Sequence, residues 1–580
     1  MGLVRLADSP PLVQIKLMRD WPQGCVALAP LLAALILGCE ASVDAPGDAT
    51  GGQGTAGSLS SAGSATLPQN TDPMALLPAR IRRLTDAEYQ ASVSALVGAA
   101  ADNVAADFVP DSRQSGFTVN EAQRVDPVFA RQLAQAADGL AKDVRLHVSE
   151  RAPCADPAGG ADACASAFIR SFGERAYRRP LGEDEVAQLM LVFRTAFDGG
   201  SYEEGIELTV RAMLQAAGFL YLTEIGDAPG VNIKLTPYEL ASSVSYLLQG
   251  RPPSAALLDA ARAGKLDTPE GRRVVLSDPA LDLFGVDARG RVVRVVREWL
   301  GIDRISQTAK DSNVYPDFAP MKDAMDRETT EFIQVLVSQK GGSLRQLLAG
   351  NWTVANAPLA RLYGATAPSE EFTEISLPAR LGMLNQAAFL SVFSHAHETA
   401  PVLRGVAVMR RVACSAVADP VALDSAVVPP APDPSKTTRE RFAVHAADPE
   451  CGACHKRIDN FGFSFEHFDG MGRARTQDNG KPVDPNVNVV GTDFDGPYAD
   501  SNALVIAMAE SAQVRECFAR HVFRAMAGTS AAELQASEDA FVTHWNQTAL
   551  TNTNGKLDAD VVSTLSAYVT SPGFAFRRAQ

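Results

Sequence analysis

The pentapeptide Cys451-Gly452-Ala453-Cys454-His455 constrains this chain more than any other stretch of its sequence. Two thiols in a Cys-x-x-Cys pattern, followed directly by a histidine, form the attachment signature of a c-type haem. On one turn of helix both sulfurs can reach the porphyrin vinyl groups, while the imidazole reaches the iron from one side. The motif therefore predicts a helix here, one covalent haem c held by Cys451 and Cys454, and His455 as the proximal iron ligand.

Two other interpretations of the motif stay open. Cys-x-x-Cys is also the pattern of a thiol–disulfide redox pair, in which the histidine would be incidental. It is also half of a zinc site, although a zinc ribbon needs a second Cys-x-x-Cys and the sequence contains none.

The N-terminal residues have the pattern of a bacterial export signal. Lys16 and Arg19 precede an apolar run over residues 26–37, which is short for a membrane span. The run ends in Ile36-Leu37-Gly38-Cys39, which resembles a lipobox. We expect a signal peptide over residues 1–39, acylation of Cys39, and a lipid anchor that makes the protein a periplasmic or an outer-membrane or cell-surface lipoprotein. The alternative is a plain secretory signal with a coincidental Cys39.

Residues 40–76 are rich in Ala, Gly, Ser and Thr and contain few large apolar side chains. Such a segment cannot bury enough surface to order itself, which predicts a flexible tether between the lipid and a globular body. The net charge of −15 argues against nucleic acid as a partner, because the basic residues form only short clusters such as Arg80-Ile81-Arg82-Arg83.

Four cysteines remain after the signal, the lipid site and the haem motif are set aside. Cys154 and Cys164 flank a Gly- and Ala-rich loop and are placed to close a short disulfide. Cys414 and Cys517 are then left as a second possible pair. The alternative is that all four are buried free thiols.

Helix start signals run through the chain from Leu77 onward. In a capping box a hydroxyl side chain accepts from an early amide while a carboxylate three residues later reaches back. The boxes are Thr85-Asp86-Ala87-Glu88, Ser201-Tyr202-Glu203-Glu204, Thr236-Pro237-Tyr238-Glu239 and Thr437-Thr438-Arg439-Glu440. The predicted helices include 166–177, 183–197, 203–220, 502–511, 514–527, 531–545 and 558–568.

The fold class that follows is mainly α. We expect multi-helical bundles, a c-type cytochrome-like helical module towards the C-terminus, and a short loop or hairpin over residues 487–500. The expected globular segments are 77–150, 151–232 with the Cys154–Cys164 loop, 233–370, 371–484 with the haem motif, and 485–580.

An ordered set of short motifs resembles a known family, and the resemblance covers residues 78–580. Its marks are Arg83-Leu84-Thr85, Glu88-Tyr89, Arg175–Leu181, Tyr238–Ala241, Ser245–Leu247, Trp299–Gly301, Asn356, Tyr363-Gly364, Arg380–Leu384, Pro401–Gly405, Arg439–Arg441, His445, Cys451–His455, Gly462-Phe463 and Glu466–Arg473. The chain looks like the planctomycete-type cytochrome c proteins, multidomain exported proteins that also occur in myxobacteria. The resemblance implies one c-type haem site and does not imply a substrate.

The sequence does not decide whether the sixth iron ligand is a methionine thioether or a histidine imidazole. The candidates are Met471, Met508, Met526 and His445, with His467 as a weaker one. Each of these side chains has packing as its simpler role. His395 and His397 alternate in an extended segment, where they would reach a metal or the haem edge, or hydrogen-bond within a loop.

Two groups of side chains near the motif suit a haem environment. Four phenylalanines provide an apolar wall or an ordinary core: Phe461, Phe463, Phe465 and Phe468. Arg473 and Arg475 are candidate partners for the haem propionates, or simply a solvated face.

The sequence lacks a Walker loop, a dinucleotide fingerprint, a Gly-x-Ser-x-Gly elbow and a His-Glu-x-x-His helix. Three functions remain. The first is a mono-haem cytochrome that passes electrons to a redox partner protein outside the cytoplasm. The second is a haem-dependent oxidoreductase of peroxidase or dehydrogenase type. The third is a surface binding or scaffold protein without haem, in which Cys451 and Cys454 form a disulfide.

Overall fold

The computed structural model describes residues 75–157, 159–367, 369–417, 430–447, 449–528, 531–552 and 559–579. The predicted signal peptide, Cys39 and all but the last two residues of the predicted tether lie outside these ranges. Helices dominate the described chain, so the mainly-α prediction is confirmed. Among the described residues, no helix is both long enough and apolar enough to cross a membrane.

The helices follow the order of the sequence signals. They are α1 (Asp86–Val97), α2 (Pro127–Leu146), α3 (Val148–Arg151), α4 (Ala161–Tyr177), α5 (Glu183–Phe197), α6 (Tyr202–Gln215), α7 (Ala217–Leu220), α8 (Pro237–Leu248), α9 (Ala255–Arg262), α10 (Pro269–Leu276), α11 (Val286–Leu300), α12 (Phe318–Gln339), α13 (Leu344–Ala349), α14 (Ala357–Leu362), α15 (Ala387–Val392), α16 (Pro401–Arg411), α17 (Thr438–Ala447), α18 (Pro449–Phe463), α19 (Ser501–Glu510), α20 (Ala512–Ala527), α21 (Ala531–Asn552) and α22 (Val561–Val569). Short 3-10 turns cover 98–101, 302–307, 383–385 and 572–575.

The predicted capping boxes form with the expected hydrogen bonds. Thr85, Ser201 and Thr236 each cap a helix together with the glutamate three residues later. At α17 the Thr437 amide donates to the Glu440 carboxylate at 2.7 Å, and the Glu440 amide donates to the Thr437 hydroxyl at 3.1 Å. These local signals therefore place the helix starts correctly.

The helix predicted over 203–220 is wrong in one respect, because it is broken at Ala216. That residue is extended, with φ −73° and ψ 148°, and separates α6 from α7. Gly218 then lies against the ring of Tyr177, where a Cβ atom would be 3.2 Å from the ring carbons. After the break the short helix α7 leads directly into a strand that begins at Tyr221, and the close contact with Tyr177 shows that tertiary packing decides this path.

The strands are short and pair antiparallel in twos. They are β1 (Arg80–Arg83), β2 (Tyr221–Glu224), β3 (Asn232–Lys234), β4 (Trp352–Ala355), β5 (Thr373–Ser376), β6 (Gln477–Asp478), β7 (Lys481–Pro482), β8 (Val487–Val489), β9 (Gly496–Tyr498) and β10 (Phe576–Arg578). The β8–β9 pair is the predicted hairpin insert. In contrast, β1 pairs with β2, and β3 pairs with β10, over long sequence separations.

Two hydrophobic cores organise the described chain. One is built from side chains between Leu84 and Leu222, together with Tyr246. The other extends from Leu235 to Phe576 and also takes in Leu76, Leu77 and Phe117. The haem-motif helix packs on this second core. The predicted boundaries of the globular segments stay predictions.

The structure contains both disulfides considered from the sequence. Cys154 bonds to Cys164 across the loop before α4. Cys414, just after α16, bonds to Cys517 in α20. The second bond links two segments of the larger core that are separated by 103 residues.

Candidate functional site

The Cys-x-x-Cys-His motif lies within α18, as its spacing predicts. Cys451 is partly exposed and Cys454 is exposed, and both are thiols outside the two disulfides. Side chains three residues apart on a helix lie on the same face. The two sulfurs therefore stand one turn apart on an accessible helix face, which is the arrangement that two thioether bonds to one porphyrin need.

His455 is oriented by a carboxylate on its own helix. Its Nδ1 lies 3.1 Å from Oδ1 of Asp459, one turn later, and the two side chains are only 14% and 7% exposed. A metal-ligating histidine commonly donates its second ring N–H to such an acceptor, which fixes the tautomer and the ring orientation. Nδ1 is thus the nitrogen that Asp459 holds, and Nε2 is the nitrogen that would coordinate iron.

The donor set fits a c-type haem. It offers two thiols for covalent attachment and one imidazole whose orientation a carboxylate fixes. The other oxygen of Asp459, Oδ2, is buried without a hydrogen-bond partner among the described residues, so the carboxylate is held mainly by the imidazole. Sequence reasoning missed Asp459, although its position four residues after His455 is the signal that could have identified it.

Two glycines bring α18 into close contact with α16. A Cβ on Gly462 would overlap the carbonyl oxygen of Pro401 and lie 2.5 Å from its carbonyl carbon. A Cβ on Gly405 would overlap the carbonyl oxygen of Ile458 and lie 3.0 Å from its carbonyl carbon. Because residue numbers rise along one helix and fall along the other at these contacts, the helices run antiparallel. This backbone contact fixes the position of the motif helix α18 along α16 and its direction.

The four phenylalanines after the motif belong to the core. Phe461, Phe463, Phe465 and Phe468 are at most 5% exposed. Phe461 meets Phe494 edge-to-face with ring centroids 6.2 Å apart, and the guanidinium of Arg380 lies 4.1 Å from the ring centre of Phe468. These contacts show packing that anchors the end of α18, and the role of an apolar wall for a haem stays a prediction.

A buried ion network holds the loop that follows. Arg404 on α16 is fully buried and donates to the carbonyl oxygen of Asp469 at 2.9 Å and towards Glu466 at 3.4 Å. Glu466 also accepts from Thr399 at 2.9 Å and from Arg475 at 2.8 Å. Burial raises the pKa of Glu466, and the two arginines oppose that shift. The network makes the loop a rigid continuation of the haem-motif helix.

Both arginines proposed for the propionates already have carboxylate partners. Arg473 donates to Asp317 at 2.8 Å. Arg475 pairs with Glu466 at 2.8 Å and with Asp478 at 3.0 Å. A role towards a haem would compete with these contacts, and it stays a prediction.

The sixth-ligand candidates lie in different surroundings. Met471 and Met508 are fully buried in the larger core, and Met526 lines a cavity formed by arginines. Burial lowers the pKa of His467 to about 4, and its Nε2 is 3.5 Å from the Ser501 hydroxyl. The side chain of His445 lies outside the described part of the structure. The sixth ligand therefore stays a prediction.

The histidine loop predicted from the sequence lies next to α17. His397 is 3.7 Å from Glu398, and Glu398 pairs with Arg441 on that helix. Burial lowers the pKa of His395, whose carbonyl oxygen accepts from Lys310 at 2.8 Å. Loop hydrogen bonding, one of the two roles expected for this segment, is the role that these contacts describe.

One cluster of possible metal ligands occurs elsewhere in the described residues. The ligand atoms of Cys414, Cys517 and His521 lie within 4.8 Å of one another. The two sulfurs are bonded to each other, so they are not thiolate ligands in this form. Burial lowers the pKa of His521 to about 3, which keeps the ring neutral.

Four family models match the chain in sequence order, each described as a protein of unknown function. PSD3 (DUF1587) matches residues 82–145, and PSD5 (DUF1595) matches residues 164–224. PSD4 (DUF1592) matches residues 235–365, and PSCyt3 (DUF1588) matches residues 380–478, which include the Cys-x-x-Cys-His motif and Asp459. No curated protein and no solved structure is significantly similar to the chain.

Proposed function

The chain belongs to the planctomycete-type cytochrome c family, whose associated domains it carries in order, and from this we propose that it is an extracytoplasmic mono-haem cytochrome. Its function would be to pass electrons to a redox partner protein. The observation that carries the proposal is the pairing of two accessible thiols with a histidine whose Nδ1 is held by Asp459. A disulfide does not require that oriented imidazole, and a zinc ribbon would need a second Cys-x-x-Cys, which the sequence lacks.

Four residues of α18 would have separate roles in binding a haem. Cys451 and Cys454 would form the thioether bonds, and His455 would supply the proximal nitrogen. Asp459 would hold the imidazole in one tautomer and increase its donor strength. A bound haem supplies a one-electron Fe(III)/Fe(II) couple, whose potential depends on the axial ligands and their hydrogen bonds.

The proposal includes export and a lipid anchor at Cys39. Its support is the lipobox-like sequence before that cysteine and the low-complexity segment after it. The two disulfides are consistent with an oxidising compartment outside the cytoplasm. Replacing Cys39 with Ser should move the protein from the membrane fraction to the soluble extracytoplasmic fraction and abolish labelling by a radioactive fatty acid.

The test of haem attachment is expression of the whole exported protein in a host with a c-type cytochrome maturation system. We expect a haem-stained band that co-migrates with the protein on a denaturing gel, and a c-type pyridine haemochrome spectrum. Replacing both Cys451 and Cys454 with Ala should abolish the stained band. The matched control replaces Cys154 and Cys164 with Ala, which also removes two cysteines and should leave the haem in place.

Absence of haem from the unmodified protein, while a control cytochrome matures in the same cells, would contradict the proposal. The remaining function would then be a surface binding or scaffold protein. Retention of haem by the Cys451/Cys454 double variant would show that the motif is not the attachment site.

A haem-dependent oxidoreductase is the second candidate, and the His455–Asp459 pair is as compatible with it as with electron transfer. A carboxylate that strengthens the proximal imidazole stabilises the oxidised iron, which suits chemistry at the iron as well as electron transfer. The spin state separates the two functions. A low-spin spectrum that is unchanged by cyanide supports electron transfer, whereas a high-spin, cyanide-sensitive spectrum supports catalysis at an open coordination position.

A further inference from the structure

A small, mostly enclosed cavity lies where the two hydrophobic cores meet. It is bordered by β1, β2, α8, α11 and β10, and its volume is about 20 Å³. Tyr246 of the first core and Tyr568 of the second both line it. Its most unusual feature is the charge of its walls, because four arginines line it: Arg80, Arg82, Arg291 and Arg577.

Two of these arginines share one carboxylate. Arg80 donates to Glu224 at 2.7 Å, and Arg577 donates to the same oxygen of Glu224 at 2.8 Å. Arg82 is neutralised separately, through hydrogen bonds of 2.6 and 2.9 Å to Glu88. Glu224 is thus the only carboxylate on the cavity wall among the described residues, and it serves two cations.

Arg291 adds a further buried guanidinium, on which Glu88 and Glu298 act without forming an ion pair. It is 4% exposed, and its hydrogen bonds to the carbonyl oxygens of Leu247 and Ala525 are both 3.4 Å long. No described carboxylate lies within ion-pair distance of it. Burial lowers its pKa to about 10, so the guanidinium still carries its charge at neutral pH.

One donor on the cavity wall lacks a partner. Nη1 of Arg80 is buried without a hydrogen bond to any described residue, and the side chain as a whole is only 5% exposed. A buried, unpaired guanidinium N–H is costly unless a ligand or water accepts from it. The cavity wall therefore combines an unused donor with three guanidinium groups besides that of Arg82 and with one carboxylate, while Glu121, Glu88 and Glu298 act on these guanidinium groups from outside the wall.

We propose that this cavity binds one monovalent anion of halide size, with chloride as the physiological ligand. The volume is sufficient for one or two water molecules, and so for a single-atom anion, but not for phosphate or an organic carboxylate. The anion accepts from Arg80 and lies in the field of Arg291 and Arg577. It thereby ties β1, α11 and β10 together at the junction of the two cores.

Bromide identifies such a site directly, because it replaces chloride and scatters anomalously. Crystals of the whole exported protein, grown in bromide, should show one anomalous peak in the cavity beside Arg80. Water density without an anomalous peak would overturn the proposal and would identify the cavity as hydrated.

Thermal unfolding provides an independent test in solution. At constant ionic strength, replacing gluconate with chloride or bromide should raise Tm in a saturable manner by about 2 °C or more, since a ligand that binds only the folded state stabilises it by mass action. A Tm that depends on ionic strength but not on the identity of the anion would contradict the proposal.

The matched variants are Arg291→Met and Arg297→Met. Both substitutions are on α11, but Arg297 pairs with Asp326 outside the cavity. We expect Arg291→Met to raise the halide concentration needed for half-saturation at least tenfold, and Arg297→Met to leave that concentration unchanged. Equal halide dependence of Tm in both variants would refute a role of Arg291 in anion binding. If Arg291→Met does not fold, the crystals grown in bromide still show whether the cavity binds an anion.

Discussion

Gly462→Ala should destabilise the protein strongly, because there is no room for a side chain between α18 and α16. The added Cβ would overlap the carbonyl oxygen of Pro401, and it would lie 2.5 Å from the carbonyl carbon and 3.0 Å from the Cα of the same residue. Carbon atoms in contact are normally 3.5–4.0 Å apart. All three atoms are backbone atoms, so the clash cannot be relieved by rotation of a side chain, and the two helices must move apart.

The expected magnitude follows from two opposing contributions. Forcing an extra methyl group into a packed site costs typically up to about 3 kcal/mol. Replacing glycine by alanine within a helix stabilises the helix by about 1 kcal/mol, because alanine has the higher helix propensity. The net destabilisation is therefore about 2 kcal/mol. Gly139→Ala in α2 is the matched control, because no atom lies within 4 Å of its Cβ. That variant should be more stable than the unmodified protein by about 0.5–1 kcal/mol.

Urea unfolding followed by circular dichroism measures both variants under the same conditions. The predicted difference in free energy of unfolding between Gly462→Ala and Gly139→Ala is about 3 kcal/mol. Haem loading gives a second readout, since displacement of α18 from α16 should lower the fraction of protein that acquires haem. If Gly462→Ala is as stable as Gly139→Ala, the backbone contact between the two helices does not exist as described.

Three further predictions concern single side chains. Asp459→Asn should raise the reduction potential of the proposed haem by roughly 45–90 mV, because replacing a charge-assisted hydrogen bond by a neutral one costs the oxidised form about 1–2 kcal/mol. Spectroelectrochemical titration measures the potential, and a shift no larger than that of the exposed control Asp484→Asn would refute the prediction. His521 has its pKa lowered to about 3 by burial and by two nearby arginines, while the unfolded chain titrates near 6.5. Its stabilising contribution is complete above pH 6.5 and is lost as the pH falls towards 3, at about 1.4 kcal/mol per pH unit. His521→Gln should reduce the slope of the unfolding free energy between pH 6 and 4 by that amount, and an unchanged slope would contradict the burial of a neutral ring. Glu224→Gln should cost about 3–5 kcal/mol in urea unfolding, because it leaves two buried arginines without their shared carboxylate; a loss below about 1 kcal/mol would mean that those arginines are solvated.

Local patterns in the sequence determined the helical class, the helix starts and the position of the motif. The capping boxes at Thr85, Ser201 and Thr236 involve partners three residues apart, so the sequence alone specifies them. The helix over 183–197 has the same limits in sequence and structure. The hairpin near residues 487–500 was likewise predictable, because its turn and both strands are adjacent in the chain.

Only the tertiary structure decided how distant residues combine at each site. The sequence shows Arg80, Arg82 and Arg83 only as a short basic cluster. In the structure their side chains are buried, because Glu224, Glu88 and Asp111 pair with them. The break at Ala216 and the packing of α18 on α16 depend in the same way on partners from other elements. The sequence by itself determined the ligands offered to a haem, since the motif lies within one helical turn. The fold determined the orientation of that helix and the charge of the cavity, because both depend on long-range packing and on the loss of solvent around buried ions.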